Sequence, residues 1–269
     1  MSKRALTGVL AALCVAVMFG VGGASAGSGL DPIAFGSTLF TAMPAPVDDP
    51  TLAPGNFTVK ADEFDPGHTN LVQGTWLNAI GCPTGASIAL ANATFTGIAG
   101  FQPYTDPACP TGDPKDQHNE GLLLVKTGPT GNFASAVAEL NGVKGITLTE
   151  LGWDIRKPQS SVDPRGSHCG AGAPRWNVIT ADGAVHFIGC NSPPPVQTTN
   201  GSTGWIRMRW PAALLAAAFP PIGPTDVVKR IQIVFDEGQD TGPDFFGAAV
   251  LDNIDVNGSI TGEGPVDAD

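Results

Sequence analysis

From Phe57 to the end of the chain, no apolar run is longer than a short strand or a two-turn helix before Gly, Pro, Asn or Asp interrupts it. Punctuation of that density rules out a bundle of long helices. It fits the many short strands of a β-sandwich or barrel. The composition supplies the turns: 35 Gly and 24 Pro among 269 residues, with only 14% charged residues to solvate long exposed faces.

The pieces alternate as strands should. "GLLLVKT" (Gly121–Thr127) is apolar and branched. "KGITLTELGWDIRK" (Lys144–Lys157) alternates through Ile146 and Leu148, then through Leu151, Trp153 and Ile155, so its phase slips near Glu150 and predicts a bulge or break. In "PRWNVITADGAVHFIGC" (Pro174–Cys190), Asp182-Gly183 between two alternating runs predicts a type I′ hairpin pairing Thr180 with Val185, Val178 with Phe187 and Trp176 with Gly189. "GWIRMRW" puts Ile206, Met208 and Trp210 on one face and Trp205, Arg207 and Arg209 on the other. "PAALLAAAF" (Pro211–Phe219) is the one good helix candidate, apolar all round and so expected as a buried plug. "VVKRIQIVF" turns Ile231, Ile233 and Phe235 inward, and "AVLDNIDVNG" closes the fold.

The N-terminus reads as a secretory signal peptide over residues 1–26. Lys3 and Arg4 precede an apolar run from Val9 to Val21, and Ala24-Ser25-Ala26 has the form of a cleavage site. The run is too short for a membrane span, so the mature chain is expected to be exported without membrane insertion. Residues 27–56, with four prolines in "MPAPVDDPTLAPG", read as an arm or linker, and 57–269 as one domain. Removing 1–26 takes away two cations and no acids, which moves the net charge from −11 to −13. Such a chain repels nucleic acid. Four sequons, at Asn56, Asn92, Asn200 and Asn257, matter only where the source glycosylates them.

Cys82, Cys109, Cys169 and Cys190 survive processing, and an even number in an exported chain implies two disulfides. Three pairings are open. The expected one joins sequence neighbours, Cys82 to Cys109 and Cys169 to Cys190. Zinc spacing is absent.

Two groups carry candidate chemistry. On strict alternation Asp252 shares a face with Val250, Ile254 and Val256, where a charge needs a cation, an Arg or backbone N–H groups, unless a bulge at Asp252-Asn253 turns it out. Asp62, Glu63 and Asp65 in "ADEFD" are the expected co-ligands if the partner is a metal. Asp236, Glu237, Asp240 and Asp244 do not have EF-hand spacing and read as a solvated turn. Trp205, Arg207 and Arg209 on one strand face could stack a sugar ring or grip a carboxylate, against the alternative of internal salt bridges. No spacing ties two of Glu120, Glu150 and Glu237 into a glycosidase pair, and no serine elbow or His-Glu-x-x-His occurs in the mature chain.

The closing "VLDNIDVNG" resembles the last strand of galactose-binding-like jelly rolls, the fold of many carbohydrate-binding modules. The stretch Gly121–Gly258, with "GSHCGAGAPRWNV" and "VFDEGQDTGPDF", resembles a set of secreted bacterial β-sandwich proteins. The resemblance implies a structural calcium on an acid of the last strand, which carries over to Asp252 alone. The expected fold is thus all-β: a jelly-roll-type antiparallel β-sandwich with one short helix and two disulfides. The expected function is non-enzymatic recognition of a glycan or cell-surface component. A matrix protein without a discrete ligand and a polysaccharide-active hydrolase are the alternatives.

Overall fold

The alternating pieces become strands of two antiparallel sheets packed face to face. In the computed structural model the chain divides into two units, Met1–Ala45 and Pro46–Asp269. The structure describes residues 57–88, 103–127, 133–157, 174–189, 192–202, 204–236 and 246–265, all in the second unit. In chain order the elements are β1 (Thr58–Phe64), β2 (Val72–Leu77), β3 (Thr84–Gly85), β4 (Tyr104–Thr105), β5 (Gly121–Thr127), β6 (Ser135–Asn141), β7 (Glu150–Arg156), β8 (Arg175–Thr180), β9 (Val185–Gly189), β10 (Val196–Thr198), β11 (Ile206–Pro211), α1 (Ala212–Leu215), β12 (Val228–Phe235), β13 (Phe246–Val256) and β14 (Ser259–Thr261). One sheet runs β1-β6-β12-β8-β9. The other runs β10-β11-β7-β13-β5-β2, with β14 added to β13, and β3 and β4 form a small separate ribbon. Among the described residues no helix is long and apolar enough to cross a membrane.

The core follows from the alternation. Ile206, Met208 and Trp210 of β11, Leu151, Trp153 and Ile155 of β7, and Ile231, Ile233 and Phe235 of β12 are all buried in one cluster. Trp153 of the larger sheet stacks on Trp176 of the smaller one with ring centroids 4.6 Å apart, and meets Trp210 edge-on at 5.0 Å. These rings fasten the two sheets together. The slip expected near Glu150 appears as a break, since β7 begins there.

Two expectations need correction, and one is met in part. The hairpin at Asp182-Gly183 is real, but its register is one residue away from the I′ pairing: Val178 lies opposite His186, and Trp176 opposite Ile188. Gly183 donates to Thr180 O and sits at φ +89°, while Thr180 N–H reaches Ala184 O. A three-residue loop ending in a left-handed glycine takes the place of the two-residue turn. That register turns His186 inward and Phe187 outward. The helix is four residues long, not nine, and buries Leu215 but not its neighbours. Of the two disulfides, Cys82–Cys109 is present with Cα atoms 5.2 Å apart; Cys169 and Cys190 lie outside the described residues.

Candidate functional site

The larger sheet has a charged outer face that is largely covered, with Asp154, Asp252 and Asp255 buried in it. The bulge foreseen at Asp252-Asn253 exists: the pairing of β13 with β7 shifts between Asp252 and Asp255, and Asn253 takes φ +47°. Asn tolerates that conformation better than most residues. The extra residue sends Leu251, Ile254 and Val256 into the core and Asp252 and Asp255 to the outer face. Asp252 therefore does not share a side with Ile254 and Val256, as strict alternation requires. It is nonetheless fully buried, because Gly81 and Cys82 on one side and Gly262 on the other lie against its carboxylate.

The carboxylate of Asp252 accepts the N–H of Cys82 at 2.6 Å and that of Asn253. Backbone walls it on both sides, for a Cβ on Gly81 or on Gly262 would come within 2.9 Å of its oxygens. Desolvation pushes its pKa well above the usual carboxylate range, backbone N–H groups oppose the shift, and the charges of Asp116 and Asp154 add to it. Asp116 is itself raised, first by desolvation. Its Oδ1 accepts the N–H groups of His118 and Glu120, while its buried Oδ2 has no well-aligned hydrogen-bond partner among the described residues. Asn253 fastens the covering segment by accepting from Gly112 N–H and donating to Pro110 O and to Asp154 Oδ2.

Asp62, Glu63 and Asp65 do not join Asp252. They belong to β1 of the other sheet and the turn after it, where Asp62 accepts the N–H of Glu63 and Asp65 caps the turn through Thr69 and Asn70. The three-ligand cluster the described residues do form, Cys82, Cys109 and Asp154, has its sulfurs in the disulfide.

Trp205, Arg207 and Arg209 share this face, with Arg207 partly open to solvent. Trp205 is buried. Arg207 holds Asp154 in a two-pronged pair at 2.9 and 3.0 Å, and Arg209 reaches Asp255 at 3.1 Å. Gly152 makes room for that reach, since a Cβ there would lie 2.3 Å from Arg209 Cδ. The pattern is the internal salt bridging weighed above. Of the loop acids, Asp236 pairs with Arg175 at 2.7 Å; Glu237, Asp240 and Asp244 lie outside the described residues. Glu120 accepts Gly264 N–H in a groove that it shares with Glu263, and Glu150 opens β7.

The open surface is the outer face of the smaller sheet. A groove of ≈820 Å³ crosses β1, β6, β12 and β8. Its floor is the cross-strand row Asp62, Val137, Val234 and Arg175. One row over, Glu139, Gln232, Asn177 and Phe187 lie side by side on four strands. On the opposite side stand Phe64, 56% exposed, and Phe133, 80% exposed. Sequence reasoning passed over this groove.

No known family model matches the chain, and no curated protein does. Among solved structures, it is similar to the family 11 carbohydrate-binding module of the cellulosomal cellulase Lic26A-Cel5E of Clostridium thermocellum, at TM-score 0.35 and 9% identity, over 79% of this chain and 92% of that one. A family 11 module from the same organism in complex with a β-1,3-1,4-mixed-linked tetrasaccharide gives TM-score 0.33 and 11% identity, over 75% and 89%. A β-1,2-glucanase from Parabacteroides distasonis gives 0.33 and 13%, over 69% of this chain and 23% of the enzyme. Likeness this slight carries no statement about ligand or activity.

Proposed function

We propose that the protein is an exported, non-enzymatic recognition module of jelly-roll type, and that it binds a glycan in the groove across the smaller sheet. One observation carries the reading. A rigid sheet presents a long open groove bordered by solvent-exposed phenylalanines on one side and by amide side chains on the other. Sugars have apolar ring faces and hydroxyls that both donate and accept, so aromatic and planar polar groups are the residues that hold them. Exposing Phe133 and Phe64 to water is unfavourable unless something covers them. The test is retention of the full chain on insoluble polysaccharides and on immobilised glycans. Failure to be retained on any of them removes the reading in favour of a matrix protein.

The same reading includes a structural calcium near Asp252, with Asp116 as co-ligand in place of Asp62, Glu63 and Asp65. A hard cation suits an all-oxygen donor set. Two buried carboxyls raised by desolvation, one with an unpartnered oxygen, support it. The ion would neutralise both acids and stiffen the covering segment. Calcium should raise the melting temperature of the wild type but not that of Asp116→Asn, which keeps an acceptor for the Glu120 and His118 N–H groups. A wild-type melting temperature unmoved by chelator removes the metal.

A further inference from the structure

We infer that the ligand of this groove is an uncharged polysaccharide that lies across the strands, one ring stacked on Phe133 and its hydroxyls read by Gln232 and Asn177. The inference rests on the glycan reading and narrows it to a ligand class, a direction and named contacts.

The direction follows from register. The floor residues Asp62, Val137, Val234 and Arg175 come from four adjacent strands and span three interstrand spacings, about 14 Å. A chain of a few sugar rings fits across the strands along that floor. The two borders differ in kind. Phe133 holds its 80%-exposed ring out from a left-handed backbone, φ +57°. That conformation costs a bulky L-residue about 1–2 kcal/mol, and it recurs where a side chain must be aimed at a ligand. On the other border, Arg175 Nε donates to Asn177 Oδ1 at 3.0 Å. This fixes the amide and leaves its NH2 as the donor. The side-chain amide of Gln232, half-buried beside it, has no hydrogen-bond partner among the described residues. The two amides together offer donors and an acceptor, the complement of a row of hydroxyls.

The class follows from charge. The three cations that line the groove each have an internal acceptor, and Lys60, exposed at the β1 end of the amide row, stands opposite Glu139. Arg175 pairs with Asp236 at 2.7 Å, Arg230 grips Glu139 at 2.6 Å, and the buried Lys126 donates to Ala134 O at 2.6 Å. Asp62, at the β1 end of the floor, and Glu63 beside it stand exposed. A polyuronate would meet paired arginines and exposed acids, with no net attraction.

Affinity gel electrophoresis of the full chain tests this with soluble β-glucan, xylan and mannan against polygalacturonate and alginate. Wild type, Phe133→Ala and the double variant Asn177→Ala/Gln232→Ala are run in parallel, and unchanged melting temperatures establish that the variants fold. The expected result is retardation by at least one neutral polymer, insensitive to salt, with affinity falling on the order of tenfold in Phe133→Ala and falling also in the double variant. Retardation by a polyuronate that the same variants abolish overturns the uncharged-ligand inference while leaving the groove a glycan site. Binding that neither variant weakens places the glycan elsewhere and overturns the groove assignment. Retardation by no polymer removes the recognition reading itself.

Discussion

Tyr104 is the single tyrosine of the chain, so its titration reports one site without assignment. It sits on β4 in the segment that seals Asp252. Its ring is wedged between two glycines, for an added Cβ would come within 2.4 Å of it at Gly85 and 2.7 Å at Gly204. The guanidinium of Arg156 lies over the ring, 5.3 Å from its centroid, and the hydroxyl is buried without a well-aligned partner among the described residues. Desolvation drives the phenol pKa up from 10.0 to about 12, the charge of Arg156 opposes this, and Asp106 adds to it. At ~1.4 kcal/mol per pH unit, the displacement corresponds to nearly 3 kcal/mol, of which about 2 remains after discounting for partial solvent access. Because the folded pKa lies above the unfolded one, this stability is fully present below pH 10. It is lost as pH rises from 10 to about 12. The assay is the ultraviolet absorbance of the phenolate followed together with circular dichroism. Phenolate should lag behind a free tyrosine, and Gly204→Ala should bring it back toward 10 by displacing the ring. A native-state titration at 10 in the wild type, with unchanged dichroism, would refute the sealed segment.

Three further outcomes test the same architecture. Asn253→Gly keeps the left-handed backbone but deletes the hydrogen bonds to Gly112, Pro110 and Asp154; denaturant titration should show a loss of about 2–4 kcal/mol, and a loss near zero would mean that the side chain does not hold the segment. Cys82→Ala/Cys109→Ala opens a loop with a sequence separation of 27. It should lower stability by about 3–4 kcal/mol, with unchanged thermal melting as the contrary result. Asp154→Ala removes the two-pronged acceptor of Arg207 and the acceptor of Asn253 Nδ2, while Arg209 keeps Asp255; it should cost about 2–3 kcal/mol, readable as a drop in denaturation midpoint, with an unmoved midpoint as the contrary result.

Local alternation was legible in the sequence because it depends only on which residues a strand must bury. The inward sets of β7, β11 and β12 follow from it directly, and so does the separation of Arg207 and Arg209 from Met208. What alternation could not carry was partnership between strands. Trp205, Arg207 and Arg209 on one strand look alike whether they face a sugar or Asp154 and Asp255. The deciding acids stand on β7 and β13, far away in sequence. The hairpin position was fixed by Asp182-Gly183, but a one-residue difference in loop length shifted every cross-strand pair by one and turned Phe187 to the outer face.

Asp252 and the groove show two different ways in which a site hides. Alternation marked Asp252 as a buried charge, and it is one. The reason differs: Asn253 adds a residue to β13, and a separate segment covers the face to which the carboxylate then turns. A bulge moves a side chain to the other side of its sheet, and only a lid can then keep it dry. Here the lid is pinned by Cys82–Cys109 and by Asn253 itself, so the residue that exposes Asp252 also helps to hold its cover. The groove has no such single residue to announce it. Gln232 in "KRIQIVF" and Asn177 in "PRWNVIT" are each an ordinary outward polar residue, and Phe133 is a loop phenylalanine after "GPTGN". They become a surface because antiparallel registry sets β12 between β6 and β8. Their outward phase could be read strand by strand; their adjacency required the sheet order, which sequence periodicity does not contain.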